Sequence, residues 1–235
     1  MRRKKLSVSV VVPNHNRDIS KLKSSMPGDV EFIEVNRGLE RSAQRNIGIR
    51  EATGDCILLL DSDQSISPGL VEECRDMVRA GYSCLYIPEI IIAKGWFGKV
   101  RKFEREFYVG TSVDVPRFVR KDVCPEFDIT LNGPEDSDWG NRIPGVRGTT
   151  RNVLYHNDDI SIWEYFKKKR YYSKSMERYR RKWPDDPVLK FKYRCFQVFT
   201  ENGKWRKLIR HPKLVIGILF IIAIRGVIYV TRPKA

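Results

Sequence analysis

Histidine is scarce in this chain, with 3 among 235 residues, and its 5 cysteines form no Cys-x-x-Cys pair. Cys56, Cys74, Cys84, Cys124 and Cys195 are widely spaced and odd in number. That argues against a zinc cluster or a disulfide scaffold and fits a reducing compartment. No low-complexity tract or internal repeat is present. A glycine-rich loop is missing after the first apolar run, where Pro13-Asn14-His15-Asn16-Arg17 stands instead, so a triphosphate cradle at that turn is disfavoured. The N-terminus, Met1-Arg2-Arg3-Lys4-Lys5, is basic, but the apolar stretch behind it stops at Pro13, too soon for a signal-peptide core with a cleavage site. Acidic residues are few between 161 and 213, where 5 Asp/Glu stand against 17 Lys/Arg; the rest of the chain holds 24 against 27.

That segment therefore carries most of the net charge of +15, together with 12 of the 26 aromatics, among them Trp163, Tyr171, Tyr172, Trp183 and Trp205. A basic, aromatic stretch favours an anionic partner, membrane or nucleic acid. A solvated helix face with its aromatics packed inward is the plain alternative. Residues 214–230 then run apolar apart from Arg225 and small residues, with Arg206, Lys207, Arg210 and Lys213 before them and Arg232 and Lys234 after. A spanning helix needs about 20 apolar residues. Arg225 would cost roughly 2.5–3.5 kcal/mol at the bilayer centre and less near an interface. Spanning and lying in the interface are both open, and basic and aromatic flanks suit a membrane surface better than nucleic acid. The expected location is the cytoplasmic face of the cell membrane.

The apolar fraction of 41% supports a real core, and the length suits one α/β domain with an appendage. Strand readings at 6–12 and 30–35 and the apolar run at 56–60 alternate with helical spacing at 42–52, and Pro68 suits the first turn of a helix over 69–80. Residues 82–87 read as a further strand, 95–109 as an amphipathic helix, 117–123 as a strand, 133–142 as a polar helix or loop, and 152–155 as a short strand delivering His156. This alternation predicts a mainly parallel sheet with helices on both faces. The run 56–60 ends abruptly in Asp61-Ser62-Asp63. Ligands of open α/β sheets bind beyond such strand ends, so two carboxylates there suit a hard divalent cation beside a diphosphate.

Five motifs in order now bear on function: Val10-Val11-Val12-Pro13-Asn14-His15-Asn16, Arg45-Asn46-x-Gly48-Ile49-x-x-Ala52-x-Gly54-Asp55, Asp61-Ser62-Asp63, Glu126-Phe127-Asp128 with Gly133-Pro134-Glu135-Asp136-Ser137-Asp138-Trp139, and His156. Together they resemble family 2 inverting glycosyltransferases of the GT-A fold over roughly residues 6–160. The resemblance implies a GT-A domain over 1–160; composition sets apart a basic aromatic helical region over 161–213 and a membrane-associated apolar helix and tail over 214–235. It implies that Asp63 coordinates Mn²⁺ or Mg²⁺ on the donor diphosphate, with Asp61 on ribose or a metal-bound water and His156 completing the metal site. Asp136 becomes the candidate general base, with Glu135 its nearest rival. Pro13, Asn14, Asn16, Asn36, Arg45, Asn46 and Ser62 fall to the donor pocket, and Trp139 to the acceptor.

Two departures shape the expected substrate. The turn after the second strand reads Asn36-Arg37-Gly38-Leu39, without the carboxylate that reads uracil in the family, so both UDP- and GDP-sugars stay open. The Gln-x-x-Arg-Trp element of processive synthases is absent, since Arg181-Lys182-Trp183 does not match it. The expectation is transfer of one sugar to a hydroxyl of a glycan or lipid-linked acceptor at an anionic membrane. The alternatives are a nucleotidyltransferase on a related sheet and a non-catalytic module binding nucleic acid or anionic lipid. The latter leaves Asp61, Asp63, Glu135 and Asp136 unexplained.

Overall fold

The computed structural model describes residues 5–231; Arg2, Arg3, Lys4, Arg232 and Lys234 lie outside the described residues. Valine-rich β1 (Val8–Pro13) is buried along its whole length, as a strand flanked on both sides and covered on both faces must be. It pairs in parallel with β2 (Glu31–Val35) and β3 (Cys56–Leu59), with Val10 opposite both Phe32 and Leu58. The remaining strands are β4 (Gln64–Ile66), β5 (Cys84–Tyr86), β6 (Glu89–Ile92), β7 (Phe118–Arg120), β8 (Arg147–Thr149) and β9 (Leu154–Asn157). The main sheet runs β2-β1-β3-β7-β5-β8, and β4-β9-β6 form a second, smaller one.

Three of the five pairings in the main sheet are parallel. The expected fourth parallel strand, β5, is separated from β3 by β7, which is antiparallel to both. The short strands β4 and β6 have no period-2 signal long enough to read from sequence, yet with β9 they frame the end of the sheet where Asp63 lies.

Helices cover both faces. α1 (Ser20–Ser24) and α3 (Leu70–Arg79) bury Leu22, Leu70, Val71 and Cys74 on Val8, Val10, Val12, Cys56 and Leu58. On the other face, α2 (Arg41–Glu51) and α5 (Glu135–Arg142) pack Ile49 and Trp139 against Val11, Ile57 and Leu59. Gly48 lets α2 approach closely, because a Cβ there would stand 2.3 Å from Val11 Cγ1.

A third core forms where α4 (Gly95–Arg105) meets α6 (Ile162–Tyr172), α8 (Val198–Thr200) and α10 (Pro212–Thr231). Between them lie α7 (Met176–Lys182), a π-helical turn over Tyr193–Gln197, and α9 (Trp205–Arg210). Ser161 starts α6 through a reciprocal cap with Glu164. Among the described residues no helix is long and apolar enough to cross a membrane. Instead α10 buries Ile218, Ile221 and Ile228, and leaves Ile216, Leu219, Phe220 and Val227 exposed.

Candidate active site

The chain leaves β3 through buried Leu60 into a turn held by Gln64, which accepts from the Asp61 N–H through its side chain (2.9 Å) and donates its own N–H to the Asp61 carbonyl (3.0 Å). The Asp63 carbonyl in turn accepts from Asn157 N–H at 3.0 Å, which ties the turn to β9. Gln64 and His156 are paired residues of β4 and β9. The two elements thereby bring Asp63 and His156 face to face, with Asp63 Oδ1 3.3 Å from His156 Nε2.

Behind His156, its Nδ1 meets Glu89 of β6 at 2.7 Å. Burial opposes charge on the imidazole, but the Asp63 and Glu89 carboxylates outweigh it and raise its pKa to about 9. Glu89 is itself buried, a cost overcome by Arg105 and His156, which hold it far below the usual carboxylate range. Asp63 also takes Arg17 at 3.1 Å through its other oxygen.

Asp61 occupies a different environment. Arg45, fully buried on α2, donates to Asp61 at 2.8 Å and to Asp136, and Arg117 approaches Asp61 at 3.4 Å. Burial disfavours the Asp61 anion, yet Arg45, Arg117 and Arg41 hold its carboxyl well below the ordinary value. The same balance, led by Arg45 after burial, lowers Asp136. Glu135 shifts the other way: burial and the neighbouring Asp136 raise it, although Arg41 donates to it at 2.6 Å.

The donor atoms discriminate between the two acids of the Asp-x-Asp turn. Asp63 Oδ1 is buried and pairs only loosely, at 3.3 Å, with a ring nitrogen whose opposite nitrogen is held by a carboxylate. Such carboxylate–histidine pairs orient imidazole ligands on metals. Asp63 and His156 thus fit a divalent cation, whereas both Asp61 oxygens are taken by arginines. Among the described residues no three His, Cys, Asp or Glu side chains converge as a complete cage.

The remaining expected residues divide. Asn46 turns into the protein, donating to the Phe127 carbonyl at 2.9 Å and accepting from its N–H at 2.6 Å, so it clamps α2 to the loop before α5. Asn14 is buried and spends its amide on Glu34 and on Arg17's backbone. Pro13 is buried, Ser62 is half-buried, and Asn36 and Asn16 are exposed, Asn16 with a left-handed φ of 56°. Trp139 corrects the sequence reading: it is wholly buried, stacked on Phe127 at 5.0 Å, and its Nε1–H donates to the Pro125 carbonyl at 2.7 Å. The ring belongs to the buried core that holds Val11, Ile57, Leu59 and Phe127, so it has no face for a sugar.

Sequence reasoning missed Glu89, Arg117, Arg41 and Arg17. Glu89 had a signal, being a lone carboxylate in the apolar run Ile87-Pro88-Glu89-Ile90-Ile91-Ile92. The arginines had none, because a strongly basic chain offers many equivalents.

The family model described as "Glycosyl transferase family 2" matches residues 16–125, a segment that contains Arg45, Asp61, Asp63, Glu89 and Arg117. A 55-residue stretch is 40% identical to the "Uncharacterized glycosyltransferase YwdF" of Bacillus subtilis (strain 168), covering 23% of this chain and only 20% of that protein's length. Among solved structures, S. aureus TarS 1-349 is similar with 14% identity over 95% of this chain and 90% of the other, at a TM-score of 0.49. The same TarS fragment in complex with UDP-GlcNAc gives 13% identity, the same coverage and 0.49. A197 from STIV gives 16% identity over 66% of this chain and 87% of the other, at 0.47. Over the matched segment, which holds both acids of the strand-end turn, the chain is similar to glycosyltransferase family 2.

Proposed function

We propose that the protein moves one sugar from a nucleoside-diphosphate sugar to a hydroxyl of a glycan or lipid-linked acceptor, with inversion and with help from Mn²⁺ or Mg²⁺. The observation that carries the reading is the buried Asp63 Oδ1 facing His156 Nε2 at 3.3 Å just beyond the end of β3. Asp63 and His156 would hold the cation, which supplies Lewis-acid neutralisation of the departing diphosphate. An imidazole in the set tilts preference toward Mn²⁺. The donor base is UDP or GDP type; TarS structures with UDP and UDP-GlcNAc describe that protein.

The protein's own groups supply the rest. Arg45 and Arg117 place fixed positive charge beside Asp61. Asp136 is ionised and partly exposed, as a proton acceptor must be, while Glu135 is nearly sealed. Arg45 weakens Asp136 as a base, so proton transfer gains when an acceptor hydroxyl donates to the carboxylate and competes with Arg45. The exposed apolar residues of α10, flanked by Arg206, Lys207, Arg210 and Lys213, suit peripheral attachment to an anionic bilayer on the cytoplasmic side. This reading also sets a unit over 1–160 against a basic region over 161–213 and a membrane-facing helix over 214–235.

The test is thermal unfolding with UDP, GDP, CDP or TDP, each with Mn²⁺, Mg²⁺ or EDTA. Metal-dependent stabilisation by one nucleotide, lost in Asp63→Ala, supports the proposal and names the donor class. No shift with any nucleotide overturns it.

A further inference from the structure

Helices α4, α6 and α10 meet around one carboxylate, Glu104. Arg225 takes it from α10 with Nη1 at 2.6 Å and Nη2 at 3.1 Å, and Tyr108 donates its hydroxyl to it. Two more cations converge here without an anion. Lys169 Nζ lies 5.5 Å from the centre of the Tyr165 ring and 5.8 Å from that of Tyr172. The Arg194 guanidinium lies 5.9 Å from the Tyr108 ring. The neighbouring ion pairs, Arg225–Glu104 and Lys168–Asp158, employ other cations, and among the described residues neither Lys169 nor Arg194 has a carboxylate within ion-pairing distance.

Half-buried cations in mutual repulsion are costly unless an anion joins them. Burial, then Arg225 and Arg194, hold the Lys169 ammonium down at about 7, as expected of a lysine with no counter-ion. Arg194 is carried by the π-helical turn Tyr193–Gln197, a departure from α-helix that often accompanies functional sites.

The cluster borders the candidate active site. Tyr172, whose ring faces Lys169, packs against Gly133, where a Cβ would stand 2.4 Å from Tyr172 Cβ, two residues before Glu135. The Tyr172 ring stands between Lys169 and the turn that leads from Gly133 to Glu135 and Asp136. On its other side the cluster adjoins α10, whose outer face is apolar.

We propose that Lys169 and Arg194 bind the phosphate group of the acceptor, a phosphomonoester dianion whose two charges match the two unpaired cations. The word acceptor rests on the transferase reading; the anion site itself does not. The phosphate belongs either to the headgroup of an amphiphile whose chain follows α10 or to a water-soluble phosphate ester.

The full chain is titrated calorimetrically with inorganic phosphate and with decyl phosphate, as wild type, Lys169→Met, Arg194→Met, Lys169→Arg and the exposed control Lys99→Met. Two charge-assisted contacts predict a loss of about tenfold or more in affinity in each Met variant of the cluster, near-full rescue in Lys169→Arg, and no change in the control. Absence of phosphate binding to the wild type, or wild-type affinity in Lys169→Met and Arg194→Met, overturns the proposal. Tighter binding of decyl phosphate than of inorganic phosphate, lost in Phe220→Asp, assigns the site to an amphiphile; equal binding assigns it to a soluble ester. Metal-dependent stabilisation by nucleotide is read in the same variants. Its survival in Lys169→Met separates the two sites, and its absence from a wild type that still binds phosphate defeats the transferase reading alone.

Discussion

Arg225 of the last helix donates to Glu104 of α4 at 2.6 Å, so the one charge inside the most apolar stretch of the chain points into the protein. Its Nε–H also donates to the Tyr165 hydroxyl at 2.7 Å. Breaking a buried pair by removing one partner costs about 3–5 kcal/mol, because the other charge is left uncompensated. Glu104→Gln and Arg225→Met are each expected to lose a cost of that order in urea unfolding, and the double variant to lose less than their sum. Strict additivity would show that the two do not act as a pair.

With Arg225 turned inward, α10 beyond Lys213 presents no charge on its outward face. Ile216 and Leu219 are 66% and 56% exposed, and Phe220 meets Trp96 of α4 at 6.3 Å. If this face lies on lipid, the wild type co-sediments with anionic vesicles, less so with neutral ones or at high salt. The Leu219→Asp/Phe220→Asp variant is then expected to stay in the supernatant while keeping its unfolding midpoint. Equal sedimentation of variant and wild type would remove the bilayer from the proposal.

Asp136→Asn is expected to fold, since Arg45 retains Asp61 as a partner, and to bind nucleotide with metal as the wild type does. Its turnover should fall by about 10²–10⁴-fold, the range of a general base. Single-turnover rates over a series of acceptor concentrations separate this from weaker acceptor binding. Near-normal turnover would reassign the base.

The strands that carry this chemistry were legible because buried parallel strands announce themselves: 10–13 and 56–59 are unbroken apolar runs, and Asp61 and Asp63 stand where such a run stops. What periodicity could not show is how charge is paired. Nothing local distinguishes Arg45, a buried bridge between Asp61 and Asp136, from the other 43 Lys and Arg residues, because its role depends on residues 16 and 91 positions away. Trp139 misled for a related reason. A tryptophan after an acidic triplet looks the same whether its helix turns it outward or, as here, onto Phe127. The antiparallel β7 was also hidden, since a three-residue strand carries no direction.

Lys169 makes stability depend on pH with a definite sign. Its pKa in the folded protein, about 7, lies below the ordinary 10.5 because of burial, Arg225 and Arg194, with Lys168 adding and Glu104 opposing. Between those values the unfolded chain binds the extra proton, so this residue's contribution makes the fold more stable as pH rises from about 7 to about 10. Lys169→Met removes that rise. Relative to wild type, the variant should be most favoured near pH 6 and lose that advantage progressively as pH rises from about 7 toward 10.5 in urea melts. Parallel profiles would show that the ammonium is not held down.

The clamp between Asn46 and Phe127 explains why an asparagine follows Arg45, and its removal gives a purely structural comparison for the site. Asn46→Ala would strip the Phe127 N–H and carbonyl of their partners in a position closed to water. An unsatisfied buried group costs about 1–3 kcal/mol, so two predict a loss of about 2 kcal/mol or more. The loop between Phe127 and Glu135 would loosen with it, and Asp136 follows directly on that loop. Asn46→Ala is therefore expected to lower both stability and turnover, whereas Asp136→Asn lowers turnover with a smaller change in stability. Hydrogen exchange of the Phe127 amide decides the point: accelerated exchange in Asn46→Ala and wild-type exchange in Asp136→Asn would place Asn46 behind the chemistry as a support, and equal exchange in both would deny the clamp.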